Sequence, residues 1–279
     1  MQVVTLSDHT GDKVRQARKS REEAYSRERE AHAEKVRNFE TARHDIRERA
    51  GAVWKERRMG AFLIASVNVV ANALKRRPAA PRIATASDQE RIWEAGNDGE
   101  AQVLSTLTAQ LGPDWTALTG YKNHKGEGDL LLVGPPGLLG VEIKNMSGVV
   151  SCLGNVWSRD KYDNYGNCVE RNVPIKDRGG RSPAQQINEV CTALGAFLSK
   201  RNQHPTILTA VVLTHPKGSA GKISNPTVNF VGKVESLNVA ALFQRCGLSG
   251  QAYDTHALVR LITHDHAHHS QVPGQRIPN

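Results

Sequence analysis

The sequence predicts an α/β fold with a long charged helical arm at its N-terminal end, and three patterns lead to that expectation. Residues 11–58 are dense in Arg, Lys, Glu and Ala and contain no proline, which is typical of a long solvated helix. Two apolar runs, 129–133 and 138–143, flank Gly134-Pro135-Pro136-Gly137, a strong turn signal between two strands. Helical patterns precede and follow this hairpin, and mixed helices and strands of this order are typical of layered domains.

From about residue 90 the sequence predicts a succession of helices and strands joined by turns and one polar loop. In chain order these are a helix at 93–111, a strand at 115–121, the two hairpin strands, a third strand near 149–157, a helix at 183–200 and a buried strand at 207–213. The polar loop extends to Arg181. The helix after it has Ser182 as N-cap and Gln185 at its third position, the residue pair of a capping box.

The predicted organisation has five segments. They are a charged helical or coiled-coil arm at 1–58, an apolar helix at 59–75, a linker at 76–90, the main domain at 91–262 and a disordered His-rich tail at 263–279. The linker is rich in Pro, Ala and Ser, as flexible connections are. The histidines of the tail suggest metal by composition, but no second ligand group with useful spacing accompanies them.

The apolar helix has two interpretations. Met59 to Leu74 are 16 uncharged residues that would span about 24 Å as a helix, less than the roughly 30 Å hydrocarbon core of a bilayer. A buried helix, or one that mediates self-association, is the first interpretation. A membrane-associated segment is the second.

The positive charge is concentrated near the N-terminus. Residues 1–82 hold 19 Lys and Arg against 11 Asp and Glu, whereas residues 83–279 hold 18 against 17. Such an excess favours polyanionic partners, either nucleic acid or an anionic membrane surface. The four cysteines form no paired motif, and the first residues contain no signal-peptide pattern, so we expect a cytoplasmic protein with reduced thiols.

The hairpin brings together the residues that carry chemistry. If Gly134 faces Gly137, the same register sets Asp129 opposite Glu142. Opposed like charges are destabilising, so two carboxylates here call for a counter-charge, which a divalent cation supplies. Lys144 points to the same face as Glu142 because side chains alternate along a strand. This arrangement suits attack of water on a phosphodiester, provided that no bulge shifts the register.

A further carboxylate precedes the hairpin. Glu100, Leu104, Leu107 and Leu111 recur at helical spacing, so Glu100 leads a leucine-rich stripe. It either points toward the sheet, where it needs a partner, or lies in an exposed first turn that favours the helix dipole.

These residues resemble the NERD (nuclease-related) domain, a branch of the PD-(D/E)xK nuclease superfamily. The resemblance covers about 94–215 and is carried by Gly96-Asn97-Asp98-Gly99-Glu100, the strand from Gly128-Asp129, the Val141-Glu142-Ile143-Lys144-Asn145 strand, and the helix start Ser182-Pro183-Ala184-Gln185-Gln186. The resemblance implies an αβββαβ core. Ser182-Pro183 departs from the Asn-Pro expected of the family, which leaves the role of Gln186 less well supported than that of the hairpin.

The resemblance also implies a set of site residues and a cofactor. Magnesium, with manganese as an alternative, would be held by Asp129, Glu142 and the backbone carbonyl of Ile143. Lys144 would be the catalytic lysine. The supporting residues would be Glu100, as an acid that could also reach the metal, and the helix glutamine Gln186.

Two functions follow as hypotheses. The first is a magnesium-dependent nuclease that hydrolyses phosphodiester bonds of DNA. The second is a non-catalytic nucleic-acid-binding or membrane-associated module on the same scaffold; the presence of both acids and the lysine counts against it. The segment 158–181 combines basic residues with Tyr162 and Tyr165, and it is either a grip for single strands or a solvated loop.

Overall fold

The computed structural model describes residues 1–55, 59–247 and 252–270. The chain forms two compact units: a helical unit, Lys13–Glu90, and a sheet unit, Met1–Asp12 together with Arg91–Asn279. Its elements are mixed helices and strands with a long N-terminal helix, so the predicted α/β class is confirmed.

The helices are α1 (His9–Lys55), α2 (Met59–Ala73), α3 (Asp88–Gln110), α4 (Pro183–Ser199), α5 (Val239–Arg245) and α6 (Thr255–Ser270). The strands are β1 (Gln2–Thr5), β2 (Thr116–Asn123), β3 (Gly126–Gly134), β4 (Gly137–Lys144), β5 (Gly148–Leu153), β6 (Val156–Tyr162), β7 (Cys168–Pro174), β8 (Ile207–Leu213), β9 (Gly218–Ser224) and β10 (Phe230–Lys233).

The helical unit consists of α1, α2 and the start of α3. Long-range polar contacts tie its segments together: Arg21 pairs with Glu90 at 2.9 Å, and Arg77 pairs with Glu40 at 2.9 Å. One face of α2 stays exposed, so the expectation of a buried helix is wrong for that face. No helix among the described residues combines the length and the apolar character needed to cross a membrane.

The sheet unit is built on a six-stranded sheet in the order β1-β2-β3-β4-β8-β10. The strands β2, β3 and β4 form an antiparallel meander, and β8 then runs parallel to β4 after the α4 crossover. With α3 before the meander, this is the predicted αβββαβ order. β1 was not predicted; it pairs in parallel with β2 along the edge of the sheet.

The central sheet is covered on both faces, because alternate residues of its strands belong to two different cores. On one face Leu131, Val133 and Leu138 pack with residues of α4 and α6. On the other face Leu130 and Val141 pack with Val103 and Leu107 of α3 and with α5. A buried sheet of this kind accounts for the nearly continuous apolar runs in β3, β4 and β8.

A second sheet, in the order β7-β6-β5-β9, corrects two expectations. The strand predicted near 149–157 is two strands, β5 and β6, which turn at Gly154, where φ is +57°. The segment predicted as a polar loop to Arg181 contains β7. The second error has a physical cause: β7 is a mostly exposed strand with polar residues, and it lacks the apolar signal of the central sheet.

The prediction of a disordered tail from residue 263 is wrong for residues 263–270, which belong to α6. Asp265 and His266 are buried there. Asp265 accepts a short hydrogen bond from the Tyr121 hydroxyl, and His266 Nδ1 accepts one from the Lys122 backbone N–H at 3.1 Å. These tertiary contacts hold a helix that is only weakly signalled in the sequence. Residues 271–279 of the predicted tail lie outside the described residues.

Candidate active site

The β3–β4 hairpin has the predicted register. Gly134 pairs with Gly137, and the ladder continues without a bulge to Leu130 opposite Val141. Gly137 has φ of +136°, and a Cβ there would lie 2.4 Å from the Thr206 carbonyl oxygen, so the turn requires glycine. The next position along the same register brings Asp129 and Glu142 to the end of the ladder, on the face that α4 covers.

At the end of the β3–β4 ladder, the side chain of Asp129 takes the place of a backbone hydrogen-bond acceptor. Its Oδ2 accepts a hydrogen bond from the Ile143 backbone N–H at 2.6 Å, in the place where a strand carbonyl would otherwise bind. Burial raises the pKa of Asp129, while Lys144 and the Ile143 N–H oppose that shift and nearby Glu127 adds to it. The hydrogen bond therefore fixes the Asp129 carboxylate in position, while the nearby Lys144 only partly offsets the effect of burial on its pKa.

Glu142 is the more deeply buried acid, with 3% of its surface exposed. Burial, and next the negative charge of Asp129, raise the pKa of Glu142 to about 8, although Lys144 acts in the opposite direction. A carboxyl group with such a pKa holds a proton at neutral pH unless a further positive charge arrives. The two acids thus form a site with a deficit of positive charge.

Lys144 lies against this pair. Its Nζ donates to Glu142 Oε1 at 2.6 Å, and its side chain is 23% exposed. Burial by itself would lower the pKa of Lys144, but the carboxylates of Glu142 and Asp129 outweigh burial and raise it. Lys144 is therefore a charged ammonium with access to solvent, and it shares one positive charge between two acids.

Helix α4 closes the site from above the sheet. Its first turn has the predicted capping box: the Ser182 hydroxyl accepts from the Gln185 N–H, and the Gln185 side chain accepts from the Ser182 N–H. Gln186 follows; its Oε1 is 3.5 Å from Lys144 Nζ, and its Nε2 donates to the Arg181 carbonyl at 3.2 Å. Gln186 thus reaches the lysine, but only at the long limit of a hydrogen bond.

The close approach of α4 to β4 depends on Gly140. A Cβ at this position would lie 2.3 Å from Cys191 Sγ and 3.1 Å from the Ile187 side chain. Burial, and next the charge of Glu142, raise the pKa of the Cys191 thiol to about 12, so it remains protonated. Neither Gly140 nor Cys191 was predicted to belong to the site, although a lone glycine inside an apolar strand is a signal of close backbone approach.

The structure places Glu100 on the helix that packs against the opposite face of the sheet. Leu107 of the predicted stripe is buried in the core on this face, and Leu104 and Leu111 pack against that core, as predicted. The buried positions near the start of the stripe are Gly99 and Val103. Glu100 lies half-buried beside them. The helix reaches the end of β4 through Gly99, whose Cβ would lie 3.2 Å from Asn145 Cβ. A joint role with Asp129 and Glu142 stays a prediction.

The carbonyl of Ile143 has an orientation that can be deduced from its neighbour. The Lys144 carbonyl accepts from the Thr214 N–H at 3.2 Å, on the β8 side. Carbonyls of successive strand residues point to opposite edges, so that of Ile143 points toward the β3 side, where Asp129 lies. Sequence reasoning missed Thr214, which is 2% exposed and stands beside Asn145 at this edge.

The basic segment 158–181 is paired mostly within itself. Glu170 accepts from Arg159 at 2.7 Å and from Lys161 at 3.2 Å across the β6–β7 hairpin. Arg181 forms ion pairs with Asp177 at 2.7 Å and with Glu189 at 3.2 Å. Tyr165 is 91% exposed at the hairpin tip. The pairing favours a structured polar hairpin over a surplus of free positive charge.

Comparison with known families matches residues 95–214 to the nuclease-related domain, NERD. The recognition made from the sequence is therefore confirmed, and the matched segment contains every predicted site residue. Searches of curated proteins and of solved structures find no match. Within the parts of the chain that the structure describes, no three His, Cys, Asp or Glu side chains form a group able to hold a metal ion.

Proposed function

Residues 95–214 carry a nuclease-related domain, and from this premise we propose that the protein is a metal-dependent nuclease that hydrolyses phosphodiester bonds of DNA. The observation that supports the proposal most strongly is the group formed by Asp129, Glu142 and Lys144. A buried carboxylate pair with one shared ammonium is the kind of perturbed cluster that active sites contain. The substrate class rests on the family and on the basic N-terminal region.

The donor set fits a hard divalent cation. Burial raises the pKa values of both carboxylates, and the charge of Asp129 raises that of Glu142 further, so the pair gains stability from added positive charge. Asp129, Glu142 and the Ile143 carbonyl would supply oxygen ligands, which magnesium and manganese prefer. The chemistry that such a cation would supply there is Lewis-acid activation of a phosphodiester toward water. Glu100 would act as a supporting acid.

Lys144 is the residue that would act on the substrate directly. Its ammonium is held against Glu142 at 2.6 Å and remains partly exposed, so it can contact a phosphate that approaches the site. There it would orient the attacking water or stabilise negative charge on the phosphoryl oxygens. Gln186 would hold the lysine from the opposite side, through its amide oxygen.

A cleavage assay tests this function. Full-length protein is incubated with single- and double-stranded DNA and with RNA, in magnesium, manganese or EDTA. We expect cleavage of DNA that requires the metal and that Asp129→Asn abolishes. Lys222→Ala, at an exposed position on β9, is the matched control and should cut like wild type. Equal activity, or equal inactivity, of wild type and Asp129→Asn would remove the support for the proposal.

We also propose that the protein works in a reducing, cytoplasmic compartment. All four cysteines are free thiols, two of them buried. Such cysteine usage is common in proteins of reducing compartments.

A further inference from the structure

Helix α2 exposes an apolar stripe that none of the described residues of the helical unit covers. The stripe consists of Leu63, Val67 and Val70 of α2 and of Leu74 in the turn that follows, each between 59% and 78% exposed. These positions recur at intervals of three and four residues, so they form one continuous face. Large apolar side chains that are contiguous on a surface mark a site of interaction.

The opposite side of α2 packs within its own unit. Asn72 is buried there, and a cavity of about 390 Å³ lies between the α1 residues Ile46 and Arg49 and the inner side of α2. The stripe therefore faces outward along the length of the helix. A partner that meets this face contacts the whole length of the helix rather than one end.

Positive charge borders the stripe. Lys75 and Arg76 follow Leu74 directly and are exposed, and Arg82 is exposed a few residues later. Residues 1–82 as a whole carry eight more basic than acidic side chains. Two copies of such a segment would repel each other, which counts against self-association. An anionic surface complements both the apolar stripe and its basic border.

We propose that α2 lies in the plane of an anionic membrane surface, with the stripe among the acyl chains and the basic residues at the headgroups. Amphipathic helices with a basic border bind in this way, and the strength of binding depends on buried apolar area and on anionic lipid together. Long basic side chains at the end of the stripe reach back to the headgroups. This surface is separate from the carboxylate pair and does not depend on hydrolysis.

The test is vesicle flotation of the full-length protein in EDTA. Vesicles of phosphatidylcholine alone are compared with vesicles that contain phosphatidylglycerol as well. We expect flotation with the anionic vesicles and little with the neutral ones. Val67→Glu combined with Val70→Glu should weaken binding by tenfold or more. Ser20→Glu combined with Ala33→Glu, at exposed positions of α1, adds the same charge and should float like wild type.

Three outcomes would overturn the proposal. In the first, wild type stays in the soluble fraction with both kinds of vesicle. In the second, the stripe variant and the α1 variant bind equally, so that charge alone explains binding. In the third, light scattering shows a dimer that the stripe variant dissociates, while vesicles bind neither protein. Asp129→Asn should float like wild type, so this result is independent of the nuclease assay.

Discussion

The two faces of the β3–β4 hairpin differ in chemistry at the same end of the same strands. On the α4 face, Lys144 donates to Glu142 beside Asp129, and 23% of the Lys144 side chain is exposed. On the α3 face, Val141 is fully buried among aliphatic side chains. Alternation of side chains lets one strand serve a rigid core and a charged site at once. The apolar face fixes the positions of groups that repel each other on the charged face.

The largest expected effect falls on the charged face. Lys144→Ala removes the only ammonium that contacts Glu142 in the described structure, and we expect cleavage of DNA to fall by about 10³-fold. The measurement is the rate of cleavage at saturating metal. Ile143→Val, one residue away on the apolar face, is the control and should keep activity within a few-fold. A Lys144→Ala rate within tenfold of wild type would contradict the assignment.

A substitution on the apolar face should lower the stability of the fold rather than the rate of cleavage. Leu139 is fully buried on the α3 side, and Leu139→Ala should lower the free energy of unfolding by about 2–5 kcal/mol. The folded fraction should keep its rate of cleavage, because no side chain of the charged face is altered. Urea denaturation measures the first quantity and active-site titration the second. If Leu139→Ala leaves the free energy of unfolding unchanged, or if it lowers the cleavage rate of the folded fraction, then the two faces do not have separate roles.

A third test uses pH in the absence of metal. The pKa of Glu142 rises from 4.5 to about 8 on folding, so the folded protein holds a proton that the unfolded chain releases. Stability contributed by this proton is complete below about pH 4.5 and is lost as pH rises to about 8. Relative to wild type, Glu142→Gln should therefore gain stability between pH 4.5 and pH 8 in EDTA, because glutamine has no proton to release.

The control for this test is Glu235→Gln, at an exposed position. It should leave the dependence of unfolding free energy on pH unchanged. If Glu142→Gln keeps the slope of wild type between pH 4.5 and 8, the raised pKa is wrong.

The smallest effect is expected at Gln186. Its amide oxygen lies 3.5 Å from Lys144 Nζ, too far for a strong hydrogen bond, so Gln186→Ala should lower the rate of cleavage by less than about tenfold. Because the residue positions the lysine, the loss should appear in kcat rather than in KM. Gln186→Glu, which strengthens the contact, should preserve more of kcat than alanine does. A loss confined to KM would assign Gln186 to substrate binding instead.

The parts of the fold that local chemistry specifies could be predicted from the sequence. The Gly134–Gly137 turn sets the register of the hairpin, and Ser182 with Gln185 sets the start of α4. β8 was predicted with its observed bounds because a run of aliphatic residues is bounded by polar ones. In each case the signal lies within a few residues.

The parts that depend on distant partners could not be predicted. β1 has four residues and is defined by its pairing with β2, more than a hundred residues away. The end of α6 is held by Tyr121 and Lys122, which the sequence does not connect to a histidine-rich segment. The leucines of the α3 stripe pack on the core as periodicity predicted, but the close approach of Gly99 to Asn145 makes Gly99 the buried residue and leaves Glu100 half-buried. Tertiary contact decides the outcome in all three.

Direct binding of manganese tests the central claim, that the charged face holds a divalent cation through Asp129 and Glu142. Calorimetry on full-length protein should find one ion bound to wild type at this site. Asp129→Asn should abolish that binding, while Ile143→Val, on the apolar face, should retain it. If Asp129→Asn binds manganese with the stoichiometry and affinity of wild type, the carboxylate pair is not the metal site.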